Sequence, residues 1–484
     1  MFKPAPVDKL SFEIAGDLAE SYQVSGDGLV YTVRLRPNAR FHPPIGRQVT
    51  AEDVVYSYQR FIGEAPGSKP ATNYRELADV VESVEARDPL TVVFKLKFPY
   101  APFLTRLADT YLLFVMPRET GQAFDPAQKM VGSGPWIFEG YEVSRLFRFR
   151  RNPDWHLGPD RPYLDRVELN VLPEYQSRVT QFLGGNLDGV APDGADLVRI
   201  LNGVRGVQVV SETDRSVTLI WFSGRDPQAP WRDPRVRRAI SMAIDRDALV
   251  EAAGVREAEG RGIKVFKGWN NLVPAIFGSW WLDPRGKDIS PEVARYFRYD
   301  PEGARRLLAE AGYPNGFRVD FRYTTTAYGQ VFNTQAELVA QYLRRIGLDV
   351  NVVIEDYASQ FITRTVLGEF DGIAMGRHAP FTDPGNYLEI MLESTNPRNR
   401  GKIRDPKLDA MIAEMRTTQD AEKRRRRVLE IQQYANEQMY YVPLAASIQF
   451  TAYQPWVRGA VENRVIDRDF GDGAENFPYF WKAG

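Results

Sequence analysis

A chain of 484 residues does not fold around one core, because a single hydrophobic core stops growing at roughly 250–300 residues. At least two packed units are expected, although no Gly/Ser linker, short-period repeat or low-complexity tract marks a boundary. Strand-like and helix-like patterns alternate along the whole length, which points to an α/β mixture. Leu29, Tyr31, Val33 and Leu35 recur at every second position, as on a half-buried strand, and Ser25-Gly26-Asp27-Gly28 supplies the turn before it. Thr91 to Leu96 and Arg166 to Val171 have the composition of further strands.

Helix starts are better marked. Thr50-Ala51-Glu52-Asp53 has the spacing of a capping box and is followed by Val54, Tyr58 and Phe61 on one stripe. Asp233 caps a helix with Pro234 in its first turn, and Val236, Ala239, Ile240, Ala243 and Ile244 then share a face. Asp300-Pro301 opens another helix that places Leu307, Leu308 and Ala311 inward and stops at Gly312. Gln335 to Ile346 is helical, ends at Gly347 and leads directly into the apolar strand Val350 to Ile354. Such helix-to-strand steps predict a partly parallel sheet in the second half.

Several function classes are disfavoured by composition. The formal net charge of −1 gives no pull toward nucleic acid or anionic lipid. No apolar run reaches the ~18–20 residues needed to span a bilayer. With no cysteine, disulfides, thiolate metal sites and cysteine nucleophiles are absent. The three histidines, His42, His156 and His378, have no chelating spacing, so neither metal nor cofactor is expected. No nucleophile elbow, His-Glu-x-x-His pair, phosphate loop or complete dinucleotide fingerprint occurs. Gly132-Ser133-Gly134-Pro135 fits a turn into the strand Trp136 to Phe138. No enzyme class is therefore marked, although carboxylates are plentiful and a hydrolase is the enzymatic alternative.

The segments Leu18-Ala19-Glu20-Ser21-Tyr22, Gly26 to Thr32 and Val49 to Ser57 resemble the opening of the family 5 extracellular solute-binding proteins of bacterial ABC importers, the peptide, nickel and oligopeptide class. The likeness resumes at Gly132 to Trp136, Asn152-Pro153-Asp154-Trp155, Asp233 to Ala239, Ala243 to Arg246, Tyr299-Asp300-Pro301, Ala311 to Pro314 and Asp383-Pro384, in the family's order. It implies a two-lobed α/β fold of the periplasmic-binding-protein type II kind (the large cluster C form), with two crossover hinge segments and ligand held between the lobes. The crossings would lie near Ser216 to Ser223 and Tyr440 to Ser447. Residues 1–222 and 447–484 would form lobe I, and residues 223–446 lobe II. The resemblance further implies a monomer outside the cytoplasm, in the periplasm or at the cell surface, that delivers a small or peptide-like ligand to ABC permease subunits without entering the membrane. A binding or chaperone-like protein outside transport is the alternative on the same fold. Seventeen residues precede Leu18, fewer than the family has there, and the export signal is expected to belong to that end.

The resemblance also locates candidate ligand residues. Peptide-binding members hold the ligand's amino terminus with an aspartate three residues before the Asp-Pro step, where this chain has Pro380; the family's tryptophan before it is Arg377, next to His378. A second family anchor, an arginine ahead of the helix ending at Gly347, falls on Thr326. Losing one partner of a buried ion pair costs about 3–5 kcal/mol, or two to three decades of affinity. A ligand with an acidic or hydroxyl-rich group, received by Arg377 and His378, is therefore expected in place of a free dipeptide. Tyr328, Phe381 and Trp221 would supply apolar or stacking faces, with Asp383 beside them. For Trp221, core packing stands beside ligand contact, and for Arg377 a surface ion pair stands beside pocket lining. Trp269, Trp280 and Trp281 are expected to pack loops, and Lys423 to Arg427 to form a solvated, salt-bridged helix face.

Overall fold

The computed structural model describes every residue except 5–13, 71–75, 110–111, 159, 214–215, 379–380, 447, 461–473 and 484. The chain divides into two compact units, one of Met1–Val190, Arg416–Gln419 and Tyr453–Gly484, the other of Ala191–Met415 and Asp420–Ala452.

In the first unit, strands Ala19–Val24, Val30–Leu35, Thr91–Leu96 and Val81–Asp88 form an antiparallel sheet in that spatial order. Tyr31, Val33 and Leu35 point into its core, with Val54, Val92, Phe94 and Phe103. Helix Ala51–Ile62 packs on this sheet from a start fixed by Asp53. The Asp53 carboxylate accepts from the Thr50 amide at 2.8 Å and the Thr50 hydroxyl at 2.9 Å. It also takes both terminal nitrogens of Arg47, at 2.8 and 2.6 Å, and the Arg118 amide at 3.1 Å. Asp53 is fully buried, so these donors replace the water it lost. A second, three-stranded antiparallel sheet is built from Trp136–Glu142, Leu146–Arg151 and Arg166–Asn170.

The second unit is organised by a mixed sheet in the order Asp349–Ile354, Arg318–Tyr323, Ile373–His378, Val217–Phe222, Tyr441–Pro443. Arg318–Tyr323 runs parallel to both of its neighbours, as the helix-to-strand steps predict, while Val217–Phe222 is antiparallel to both of its own. Helix Pro234–Met242 starts at Asp233, whose carboxylate accepts from the Arg235 amide at 2.8 Å. Val236, Ala239, Ile240, Ala243 and Ile244 are all buried against the sheet's core. Asp300 caps helix Pro301–Glu310 through the Gly303 amide at 2.7 Å. Helix Gly329–Arg345 begins about a turn and a half ahead of the sequence expectation. Its first turns are rich in Gly, Gln, Asn and Thr and carry no capping side chain, so no local signal marks that start.

The boundaries between units differ from those expected at 222/223 and 446/447. Both expected crossings, Val217–Phe222 and Tyr441–Pro443, are hydrogen-bonded strands of the second unit's sheet. Helix Gly194–Gly203 belongs there too, because it packs on Val255–Glu259 with Gly194 against Gly254. A Cβ on Gly194 would come within 2.3 Å of the Gly254 Cα, so that approach requires glycine on both sides.

Helix Pro384–Leu392 has a buried anchor comparable to Asp53. Asp383 caps it by accepting from the Gly385 amide at 2.8 Å, and pairs with Arg424 at 2.8 and 2.5 Å through its two oxygens. Both side chains are buried. Arg424 therefore departs from the solvated face expected for residues 423–427, whereas Arg425 and Arg427 pair with Glu422, Glu414 and Glu430 as expected. Two outcomes follow. Asp53→Ala strands the Thr50 and Arg118 amides and lowers unfolding free energy by about 3 kcal/mol in urea titration. Asp383→Ala leaves a buried Arg424 charge and costs about 3–5 kcal/mol without any ligand present, a loss that a pure ligand contact would not show.

Candidate functional site

Strand Ile373–His378 carries the centre of the candidate site. In its register with Val217–Phe222, Arg377 lies opposite Thr218 and His378 opposite Val217. His378 is fully buried and Arg377 partly so. Pro380 lies outside the described residues. Beyond it the chain turns back, with the Phe381 amide donating to the Tyr387 hydroxyl at 2.8 Å. The His378 ring is 5.5 Å from Phe381 and 5.9 Å from Tyr387, and Phe277 closes on Tyr387 at 5.6 Å. His378 thus sits against two aromatic rings, with Phe277 behind one of them. Among the described residues, no group of three His, Cys, Asp or Glu side chains is arranged to hold a metal ion.

A second aromatic group borders the same strand. Trp221 is fully buried, its ring 5.8 Å from Phe361. It occupies the space over Gly376, where a Cβ would meet the indole Cη2 at 2.4 Å and Phe361 Cζ at 2.9 Å. Glycine at 376 is what lets both rings lie on the strand. The Arg400 guanidinium stacks on the indole, 4.4 Å from the ring centroid. Such a stack, desolvated, is worth about 2 kcal/mol. The indole Nε1 is buried and has no hydrogen-bond partner among the described residues.

Tyr328 extends the second group. Its ring lies 4.9 Å from Phe332, 5.8 Å from Tyr357 and 6.2 Å from Phe361. Burial raises the pKa of its hydroxyl well above the usual phenol value, and the neighbouring Tyr357 raises it further. The charges of Arg400 and Arg377 act in the opposite direction. Both guanidinium groups therefore lie within electrostatic reach of one buried phenol. Thr326, in the preceding loop, is exposed, with its hydroxyl 3.4 Å from that of buried Thr324.

The structure thus groups Trp221 and Tyr328 through Phe361, with Arg400 on Trp221, groups His378 with Phe381 and Tyr387, and places Arg377 on the strand opposite Thr218. It gives Asp383 a scaffold partner in Arg424, and leaves Thr326 at the loop surface. Arg400, Tyr357, Phe361 and Tyr387 were not singled out from sequence. Tyr357 and Phe361 lie in an irregular helical turn after strand Asp349–Ile354, and Arg400 lies in the turn-rich stretch Asn396 to Gly401, where no periodicity indicates a direction. The assembly can receive an anionic or hydrogen-bonding group at the arginines and stack a flat apolar group on the rings.

Comparison with known proteins agrees with this architecture. A heme-binding protein A of Haemophilus influenzae is 28% identical over 477 residues, covering 94% of this chain and 83% of the relative. Di/tripeptide-binding protein 2 of Pseudomonas aeruginosa is 29% identical, covering 94% of this chain and 85% of its own. Among solved structures, the periplasmic binding protein DppA of Helicobacter pylori, in complex with the peptide STSA, superposes with a TM-score of 0.79 at 24% identity, over 99% of this chain and 91% of that one. The fold is accordingly the two-domain α/β fold of type II periplasmic binding proteins. The family model for the middle region of the bacterial extracellular solute-binding proteins, family 5, matches residues 13–399, and the chain belongs to that family.

Proposed function

We propose that this solute-binding protein works outside the cytoplasm as the cargo-capturing component of an ABC importer, and that its cargo presents an acidic or hydroxyl-rich group to Arg377 and Arg400. The two units would close on the cargo and deliver it to the permease subunits. The observations that support this reading are the Arg400 guanidinium stacked on Trp221, the rings of Phe361, Tyr328 and Tyr357 beside it, and Arg377 at the end of the neighbouring strand. No helix among the described residues is long and apolar enough to cross a membrane, which is compatible with capture by a protein that hands cargo to separate permeases.

The cargo named for the relatives spans two chemistries. Heme is a flat apolar ring bearing carboxylates, and a di- or tripeptide is a zwitterion. A zwitterionic peptide needs an anionic anchor for its amino terminus, and positions 380 and 326, where the family resemblance puts the peptide anchors, are proline and threonine. Two arginines and a set of rings instead favour an acid-bearing, partly flat molecule.

Mass spectrometry of ligand released from the purified protein identifies the cargo class directly. A thermal-shift screen of acidic solutes, hemin and short peptides supports it, since ligand at 100 times its dissociation constant adds about 2.7 kcal/mol. For the cargo so found, Arg377→Ala is expected to weaken binding by about 1.5–3 kcal/mol, on the order of 10- to 100-fold. A short peptide bound at micromolar affinity through its free amino terminus, and unaffected by Arg377→Ala, would sink the proposal.

A further inference from the structure

Strand Val217–Phe222 ends away from the candidate cargo site. Val217 faces His378, whereas Phe222 pairs with Ile373, five residues or about 17 Å further along. At that far end, still within the second unit, lies a cavity of about 670 Å³. Its lining includes Arg232, Arg237, Lys402 and Arg404 and no carboxylate.

The four cations are held in a way that leaves most of their charge uncompensated. Arg237 is buried and donates to the carbonyl oxygens of Trp231, Arg232, Gln438 and Met439. Arg232 donates to the carbonyls of Gly224 and Asp226, and the Lys402 ammonium to that of Leu367 at 2.8 Å. Arg404 is exposed. None of the four pairs with a carboxylate among the described residues. Of the nearby acids, Asp233 is paired with Arg235, while Asp405, held by the hydroxyls of Tyr434 and Tyr440, sets one negative charge against the four cations. Carbonyl dipoles orient a guanidinium but do not neutralise it, so the cavity holds a positive potential. The Ser394 hydroxyl also lines it, buried and without a hydrogen-bond partner among the described residues. Tyr440 offers an aromatic wall, already stacked by Arg237 at 5.3 Å.

We propose that this cavity is a second ligand site, separate from the cargo site, which takes a small multivalent oxyanion, with Arg232, Lys402 and Arg404 as the charged contacts and Ser394 as a hydroxyl donor. Polycarboxylates and phosphate esters share that chemistry, and the probes distinguish them. Calorimetric titration of the full chain with citrate and, separately, with pyrophosphate is expected to give saturable binding for at least one, weakening as salt is added. Arg404→Ala, at an exposed position whose loss leaves the fold intact, is expected to weaken that binding at least about tenfold, and Arg404→Glu more. Arg377→Ala, in the cargo site, is expected to leave it unchanged. No saturable heat from either probe would overturn the proposal. So would binding that responds to Arg377→Ala and not to the Arg404 variants, since the probes would then occupy the cargo site.

Discussion

The candidate site depends on one strand being hydrogen-bonded on both sides. Ile373–His378 lies between Arg318–Tyr323, parallel to it, and Val217–Phe222, antiparallel to it. Its residues are buried almost without interruption, as in strands covered on both faces. The backbone therefore has little freedom, and Arg377 and His378 are delivered at its end with fixed spacing. A one-residue slip in the register would exchange their faces. It would also bring a side chain to the place of Gly376, which Trp221 and Phe361 need empty.

How much of this was legible depends on how local each signal is. The helix starts at Thr50, Asp233 and Asp300 were readable because a cap is a contact between a side chain and an amide two or three residues on. The parallel step from the helix ending at Gly347 into Asp349–Ile354 was readable for the same reason. Unit boundaries were not, because Val217–Phe222 looks like an extended crossing until its partners, more than 150 residues away, are known to pair with it.

The surroundings of the candidate residues were legible in the same uneven way. The order of motifs led to positions 377, 378, 381 and 383, all within one turn of chain. Arg400 stacks on Trp221 across 179 residues of sequence, and no pattern in Asn396 to Gly401 announces it. Asp383 shows the opposite failure. Its place next to the motif suggested a ligand contact, while its carboxylate is engaged by a backbone amide and by Arg424, 41 positions further on. A basic run that looks solvated in sequence supplied the buried partner.

The Asp383–Arg424 pair has a consequence for how such a protein diversifies. The pair secures the start of the helix after the strand by contacts that do not involve Arg377. His378 differs, because its buried ring packs on Phe381 and on Tyr387 of that same helix. The two neighbouring positions are therefore unequal in what they tolerate: change at 377 leaves the Asp383–Arg424 anchor intact, whereas change at 378 also alters the packing of the helix.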